Sequence, residues 1–274
     1  MKNLVITIPS KGRVFGDTLL LFKNIDIPVY VYVDSKEEAA YREKHPDYNI
    51  ITHNETTIGA IRLFIQEHQA SLNNDCIMLD DDCSGIYTYT DNFAVSINEF
   101  INEVKETIKQ YDFLYFVNDN DNLRIDQSEI AVSGIYGYVP IRAVALSSNL
   151  YNNNVRYSSD LTSCEDLDFF VQVLLHSSYK LLEYRLTISM KYRSNFNAEI
   201  FNLTTLELYK KYGNIFKIRQ IYDILNLDLD LEGLDDYKNN GVSYKNENKK
   251  YFENIILNKF PGWEKIREGM LSLE

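Results

Sequence analysis

The sequence predicts an α/β protein with a mostly parallel central sheet flanked by helices and a small helical extension at its carboxyl end. Three observations carry this expectation. Short apolar runs alternate four times with amphipathic stretches over the first 80 residues, the order that lays parallel strands side by side beneath crossover helices. Polar clusters stand directly after the first and fourth runs, Ser10-Lys11-Gly12-Arg13 and Asp80-Asp81-Asp82, and ligands of such sheets bind beyond the carboxyl ends of the strands. At 274 residues, 45% hydrophobic and 25% charged, the chain is long enough for one large core and a smaller appendage.

Leu4 to Pro9 forms the first strand, followed by a turn and an apolar-periodic helix over Phe15 to Phe22. Val29 to Val33 is a β-branched and aromatic strand entered through Pro28. Lys36 to Lys44 reads as helix, Tyr48 to Thr52 as strand, and Thr57 to Leu72 as helix, with Ile58, Ile61, Phe64 and Ile65 on one face. Cys76 to Leu79 is the fourth strand, and it runs straight into the three aspartates. Beyond it the spacing predicts a helix over Phe93 to Gln110, strands over Phe113 to Val117 and Ile130 to Val139, and a helix over Glu165 to His176. Strand-like segments follow at Lys180 to Leu182 and Arg185 to Met190, then helices over Leu206 to Tyr212 and Lys249 to Leu257. The acidic, Gly-containing stretch from Asp228 to Asn240 reads as a loop. No internal repeat is visible. Residues 1–220 read as the catalytic domain and 221–274 as the extension.

The formal charge of −12 argues against binding polyanions through overall charge. Its distribution is uneven: twelve acids against three bases from Asp80 to Ile130, but seven bases against two acids from Arg185 to Arg219. Cys76, Cys83 and Cys164 are widely spaced and form no Cys-x-x-Cys pair, which argues against a disulfide framework or structural zinc. No run approaches a membrane span or a signal peptide's apolar region, so no membrane partner and a cytoplasmic location are expected. The 21 Tyr and 14 Phe supply core area, with a minority available to line a sugar or base pocket.

Two acidic clusters are candidates for chemistry. Asp80 and Asp82, at i and i+2 after a buried strand, can both face one cation, and carboxylate oxygens suit Mg2+ or Mn2+. Three buried carboxylates would repel one another strongly without a counter-cation, so the triplet either faces water or binds metal. Glu165, Asp166 and Asp168 open an apolar helix face; acids there complement the helix dipole or act as a base. Asn118 to Asn122 lacks the Gly and distal Glu of a helix-loop-helix calcium loop and reads as a solvated turn.

Ile8-Pro9-Ser10-x-x-Arg13, Gly59-x-x-x-x-Phe64, Met78-Leu79-Asp80-Asp81-Asp82 and Cys164-Glu165-Asp166-Leu167-Asp168 occur in that order. Together they resemble GT-A glycosyltransferases, and more narrowly the phage-type enzymes associated with TET/JBP oxygenases, which glycosylate hydroxymethylated pyrimidines in DNA. The resemblance covers roughly residues 1–220. It implies a nucleotide-sugar donor, UDP-linked by expectation, and an acceptor hydroxyl, that of hydroxymethylated DNA in the narrower resemblance and of a glycan, protein or small molecule in the alternative. Pro9, Ser10 and Arg13 would cradle the nucleotide, with Gly59 and Arg62 at a helix start near the diphosphate. Asp80 and Asp81 would lie by the donor, Asp82 would ligate the metal directly, and Asp80 would reach ribose or metal-bound water. Asp166, with Glu165 as second choice, would be the general base that deprotonates the acceptor hydroxyl, and in-line attack by that oxygen on the anomeric carbon would invert it. Gly134 would let backbone approach sugar or acceptor, and Lys191 or Arg193 would pair with the diphosphate. One departure stands out: many relatives add a late His as metal ligand, yet the four histidines here, His45, His53, His68 and His176, all fall earlier.

A rival reading is a haloacid-dehalogenase-type phosphatase, which also uses Asp-x-Asp after a strand. There the motif follows the first strand of the core, whereas here three strand-helix units precede Asp80.

Overall fold

The computed structural model describes residues 2–88, 93–118, 143–176, 181–190, 197–221, 224–244 and 263–272. Gly134, Lys191, Arg193, the strand expected over 130–139 and the helix expected over 249–257 lie outside the described residues. Contacts divide the chain into two compact units: Met1–Gly134, Pro140–Asp160 and Glu165–Arg193 form one, and Ile135–Val139, Leu161–Cys164 and Ser194–Glu274 the other.

The first unit is built on strands β1 (Asn3–Ser10), β2 (Val29–Asp34), β3 (Asn49–His53), β4 (Asn74–Leu79), β5 (Cys83–Thr88), β6 (Phe113–Asn118), β7 (Ala143–Leu146) and β8 (Leu181–Met190). Their order across the sheet is β3-β2-β1-β4-β7-β6-β8-β5. The four strands read first from the sequence are mutually parallel. The far half is mixed, because β7 runs antiparallel to both β4 and β6, while β6 and β8 are parallel. β5 closes the edge antiparallel to β8. The two segments expected at 180–182 and 185–190 are thus one strand. β5 and β7 were not foreseen: β7 is four residues, two of them Ala, and β5 carries Gly85.

Side chains alternate across the sheet, as the two-residue strand period requires. Leu4, Ile6 and Ile8 of β1 and Ile77 and Leu79 of β4 join one buried cluster. Helices α1 (Asp17–Leu21), α2 (Glu38–Lys44) and α4 (Ile97–Thr107) supply Leu19, Phe22, Tyr41, Phe100, Ile101 and Val104 to it. The other face carries α3 (Ile58–Ser71), α5 (Ser148–Asn152) and α6 (Glu165–Leu175), with Phe169 and Phe170 of α6 5.7 and 6.1 Å from Phe113 of β6. Every residue of β4 is buried, as expected of a strand covered on both faces. The helix expected from Phe93 begins only at Ile97, where Ser96 and Glu99 cap each other reciprocally.

The second unit contains α7 (Ala198–Tyr212), β9 (Phe216–Ile221), β10 (Ile224–Leu229), α8 (Leu231–Asn240) and a last helix, Trp263–Leu271. β9 and β10 pair as an antiparallel hairpin. Residue 221, where the extension was expected to begin, is the last of β9, and β10 shows that this part of the chain is not helical alone. The loop expected over Asp228–Asn240 is corrected: β10 runs to Leu229 and α8 follows. Gly233, which falls in the stretch read as a loop, lies in α8, and a Cβ there would sit 1.7 Å from the Asn214 carbonyl oxygen. Close packing, not turn chemistry, requires it.

Candidate active site

The carboxyl ends of β1 and β4 separate at the candidate site. Their pairing stops at Thr7 with Met78, whereas β1 stays paired to β2 as far as Ser10 with Val33. Pro9, which offers no N–H, sits beyond the last β1–β4 pair. Ser10 donates to Asp81 Oδ2 at 2.8 Å and shares a 2.7 Å hydrogen bond with the Tyr41 hydroxyl. Arg13 Nη1 pairs with Asp81 Oδ1 and lies 3.6 Å from Asp82 Oδ2. Its backbone N–H donates to Tyr41 at 3.1 Å.

The loop after β1 also touches the aspartate turn through its backbone. A Cβ on Gly16 would stand 2.7 Å from the Asp81 carbonyl oxygen. Thr18 donates to the Asp80 carbonyl at 2.6 Å and accepts from the Cys83 N–H at 2.8 Å. The two polar clusters singled out in the sequence are therefore one structure, held by short side-chain and backbone bonds.

The three aspartates take different positions. Asp81 is buried, and burial raises its carboxyl pKa against the opposing pull of Ser10 and Arg13. It is committed to Ser10 and Arg13. The Asp80 and Asp82 side chains are 30% and 14% exposed. Among the described residues no group of three or more His, Cys, Asp or Glu is arranged to hold a metal ion. Asp80 and Asp82 carry hard carboxylate oxygens, the donor type that Mg2+ or Mn2+ takes together with waters and phosphate oxygens, and each lies beside an arginine.

Arg62 joins the first acidic motif to the second. It lies one turn into α3, whose first turn contains buried Gly59 and whose N-cap, Thr57, accepts from the Ala60 N–H at 3.1 Å. Its Nη2 is 3.1 Å from Asp80 Oδ1 and its Nη1 is 3.0 Å from Glu165 Oε1. Both the Arg62 and Glu165 side chains are 7% exposed. Burial opposes the arginine's charge, but Glu165 and Asp80 outweigh it and its pKa is raised. The Glu165 carboxyl is pushed up to about 7, chiefly by burial, with Arg62 pulling the other way. The guanidinium, expected near a diphosphate, stands between two carboxylates, 5.8 Å from the ring of Tyr157.

On α6 the acids divide their roles. Asp168 is fully buried and accepts from Ser158 Oγ and, at 2.8 Å, from Gln172 Nε2, so it holds the preceding loop. Asp166, 9% exposed, accepts from the Leu167 N–H at 2.7 Å on the helix's first turn. Sequence reasoning missed Tyr41, Gly16, Thr18 and Tyr157. Only Gly16, a glycine inside the stretch read as helix, carried a signal.

The TET-associated glycosyltransferase family model matches residues 4–192, and the chain belongs to that family. Among solved structures it is similar to S. aureus TarS 1-349, at 14% identity and a TM-score of 0.47, covering 76% of this chain and 66% of that one. It is also similar to a nucleotide-diphospho-sugar transferase described as putative from Desulfovibrio desulfuricans G20, at 10% identity and TM-score 0.45, covering 67% and 80%. A third likeness is to 4-diphosphocytidyl-2C-methyl-D-erythritol synthase from Anaerococcus prevotii, at 12% and 0.43, covering 73% and 93%. The chain thus spans just under two thirds of the TarS fragment. No curated protein matches it in sequence. No helix among the described residues is long and apolar enough to cross a membrane.

Proposed function

We propose that the chain transfers a sugar from a nucleoside-diphosphate donor, UDP-linked, to the hydroxyl of a hydroxymethylated pyrimidine in DNA. The observation that supports this best is the Asp80–Arg62–Glu165 ladder, which places the two acidic motifs of the sequence side by side. In this reading Asp82 and Asp80 hold Mn2+ or Mg2+, and Arg13, paired with Asp81 and 3.6 Å from Asp82 Oδ2, lines the phosphate side. The bound cation supplies charge stabilisation for the departing nucleoside diphosphate. Pro9, Ser10 and the backbone of the turn shape the nucleotide side of the cleft. Gly134, Lys191 and Arg193, outside the described residues, are assigned to the sugar and diphosphate on the family resemblance alone.

Asp166 is the proposed general base. It takes the acceptor hydroxyl's proton as the oxygen attacks the anomeric carbon in line, with inversion, while the bond to the diphosphate oxygen breaks. Glu165 is held by Arg62 and orients that helical turn. The test is a product screen. Purified protein, Mn2+ and a panel of nucleotide sugars are incubated with hydroxymethylated DNA, unmodified DNA and simple glycans, and products are read by mass spectrometry. A mass increment on hydroxymethylated DNA alone supports the reading. Transfer only to a glycan would replace the acceptor and keep the class, and no transfer from any donor would contradict it.

A further inference from the structure

We infer that Arg62 is a positioning residue that ties cation binding at Asp80 to the placement of the acidic first turn of α6. The inference rests on the proposed function above and deepens it. Arg62 lies on α3 and bonds both to Asp80, in the turn after β4, and to Glu165, at the start of α6. Its planar fork gives one terminal nitrogen to each carboxylate, at 3.1 Å to Asp80 and 3.0 Å to Glu165. A planar group cannot shift toward one partner without altering its bond to the other. With the Arg62 and Glu165 side chains both 7% exposed, salt and water screen this arrangement poorly.

One positive charge is therefore divided between two carboxylates, and Asp80 is also a proposed cation ligand. Arg62 and a cation compete for the Asp80 oxygens. Release of Asp80 leaves the guanidinium to Glu165, whose neighbour in sequence is the proposed base Asp166. Donor loading and the seating of the base turn are then two ends of one rigid side chain. Anything that weakens the hold of Glu165 on Arg62 strengthens the hold of Arg62 on Asp80, and cation binding suffers, although Glu165 touches no cation.

The test is calorimetric titration of Mn2+ into the full chain with UDP present, for wild type, Glu165→Gln, Arg62→Met and the double variant, with circular dichroism confirming the fold. Glu165→Gln is expected to bind Mn2+ roughly fivefold more weakly, and Arg62→Met roughly fivefold more tightly, a coupling of ordinary size for two sites sharing one element. In the double variant the Glu165 change has no further effect, because the shared charge is gone. A Glu165→Gln affinity equal to wild type, or the same weakening in the Arg62→Met background, would overturn the inference while leaving the proposed function standing. Should Glu165→Gln not fold, Arg62→Met decides alone: tighter Mn2+ supports the coupling, and equal or weaker binding contradicts it. Wild type that ignores Mn2+ would remove the proposed function and this inference together.

Discussion

The Ser10 hydroxyl donates to the Asp81 carboxylate at 2.8 Å, tying the end of β1 to the turn after β4. Because Arg13 pairs with the other oxygen of Asp81, the middle aspartate of the triplet ties the two strand ends together, and in the proposed reading the cation falls to its neighbours. Asp81→Ala should cost about 2 kcal/mol of stability, below the usual figure for a broken buried pair because Arg13 is a third exposed. Asp82→Asn should cost roughly 1 kcal/mol or less and lower Mn2+-dependent transfer by about a hundredfold. Urea unfolding and initial rates on the two variants separate these roles.

Gly16 is required by proximity, not by its backbone angles, which are extended at φ −57° and ψ 142°. A methyl group there would meet the Asp81 and Arg13 carbonyl oxygens at 2.7 and 3.2 Å. Gly16→Ala should cost about 1–3 kcal/mol, as overpacking does, and raise KM for the donor. A melting curve and donor kinetics check it.

On α6, Asp168 and Asp166 should respond in opposite ways. Asp168→Ala strands the hydrogen bonds from Ser158 and Gln172 in a fully buried place, with a loss of about 2–3 kcal/mol and turnover kept in the folded fraction. Asp166→Asn should fold normally and lose kcat by roughly a thousandfold or more. Comparable kcat losses in both would contradict the division.

The pH dependence follows from Glu165, whose folded-state carboxyl titrates at about 7 against an ordinary 4.5. Below 4.5 both folded and unfolded chains hold the proton, and the group contributes nothing to the pH slope. Between 4.5 and 7 the unfolded chain releases a proton the folded chain keeps, so this group's contribution to stability falls as pH rises; above 7 it levels off. Relative to Glu165→Gln, wild type should therefore lose stability across that window. Urea midpoints measured for both proteins at several pH values test the sign.

If DNA is the acceptor, binding to hydroxymethylated duplex should weaken as salt rises, since phosphate contacts release counterions. Fluorescence anisotropy at several salt concentrations reads the slope, and a flat line would point to another acceptor.

The near half of the sheet was legible because its strands are short, mostly apolar runs, the first three of them each followed by a helix. The far half was not: β7 is short and Ala-rich, β5 is broken by Ser84 and Gly85, and the Ser96–Glu99 cap was overlooked. Both acidic clusters were found from their positions after a strand and before a helix. Spacing along one chain could not show that Asp81 faces Ser10 and Arg13, or that Asp168 is internal. Nor could it show Arg62 reaching Glu165, 103 positions away in the sequence. Those are consequences of tertiary packing. Tyr41 lies in a stretch read only as helix, yet its hydroxyl meets both Ser10 and the Arg13 backbone.

The most direct measurement of the central claim is a calorimetric titration of UDP into the protein with Mn2+ and again with a chelator, repeated on Asp82→Asn. Binding should require Mn2+ and disappear in the variant. Equal binding with the chelator, or an Asp82→Asn variant that binds as wild type does, would contradict a cation-held diphosphate at the end of β4.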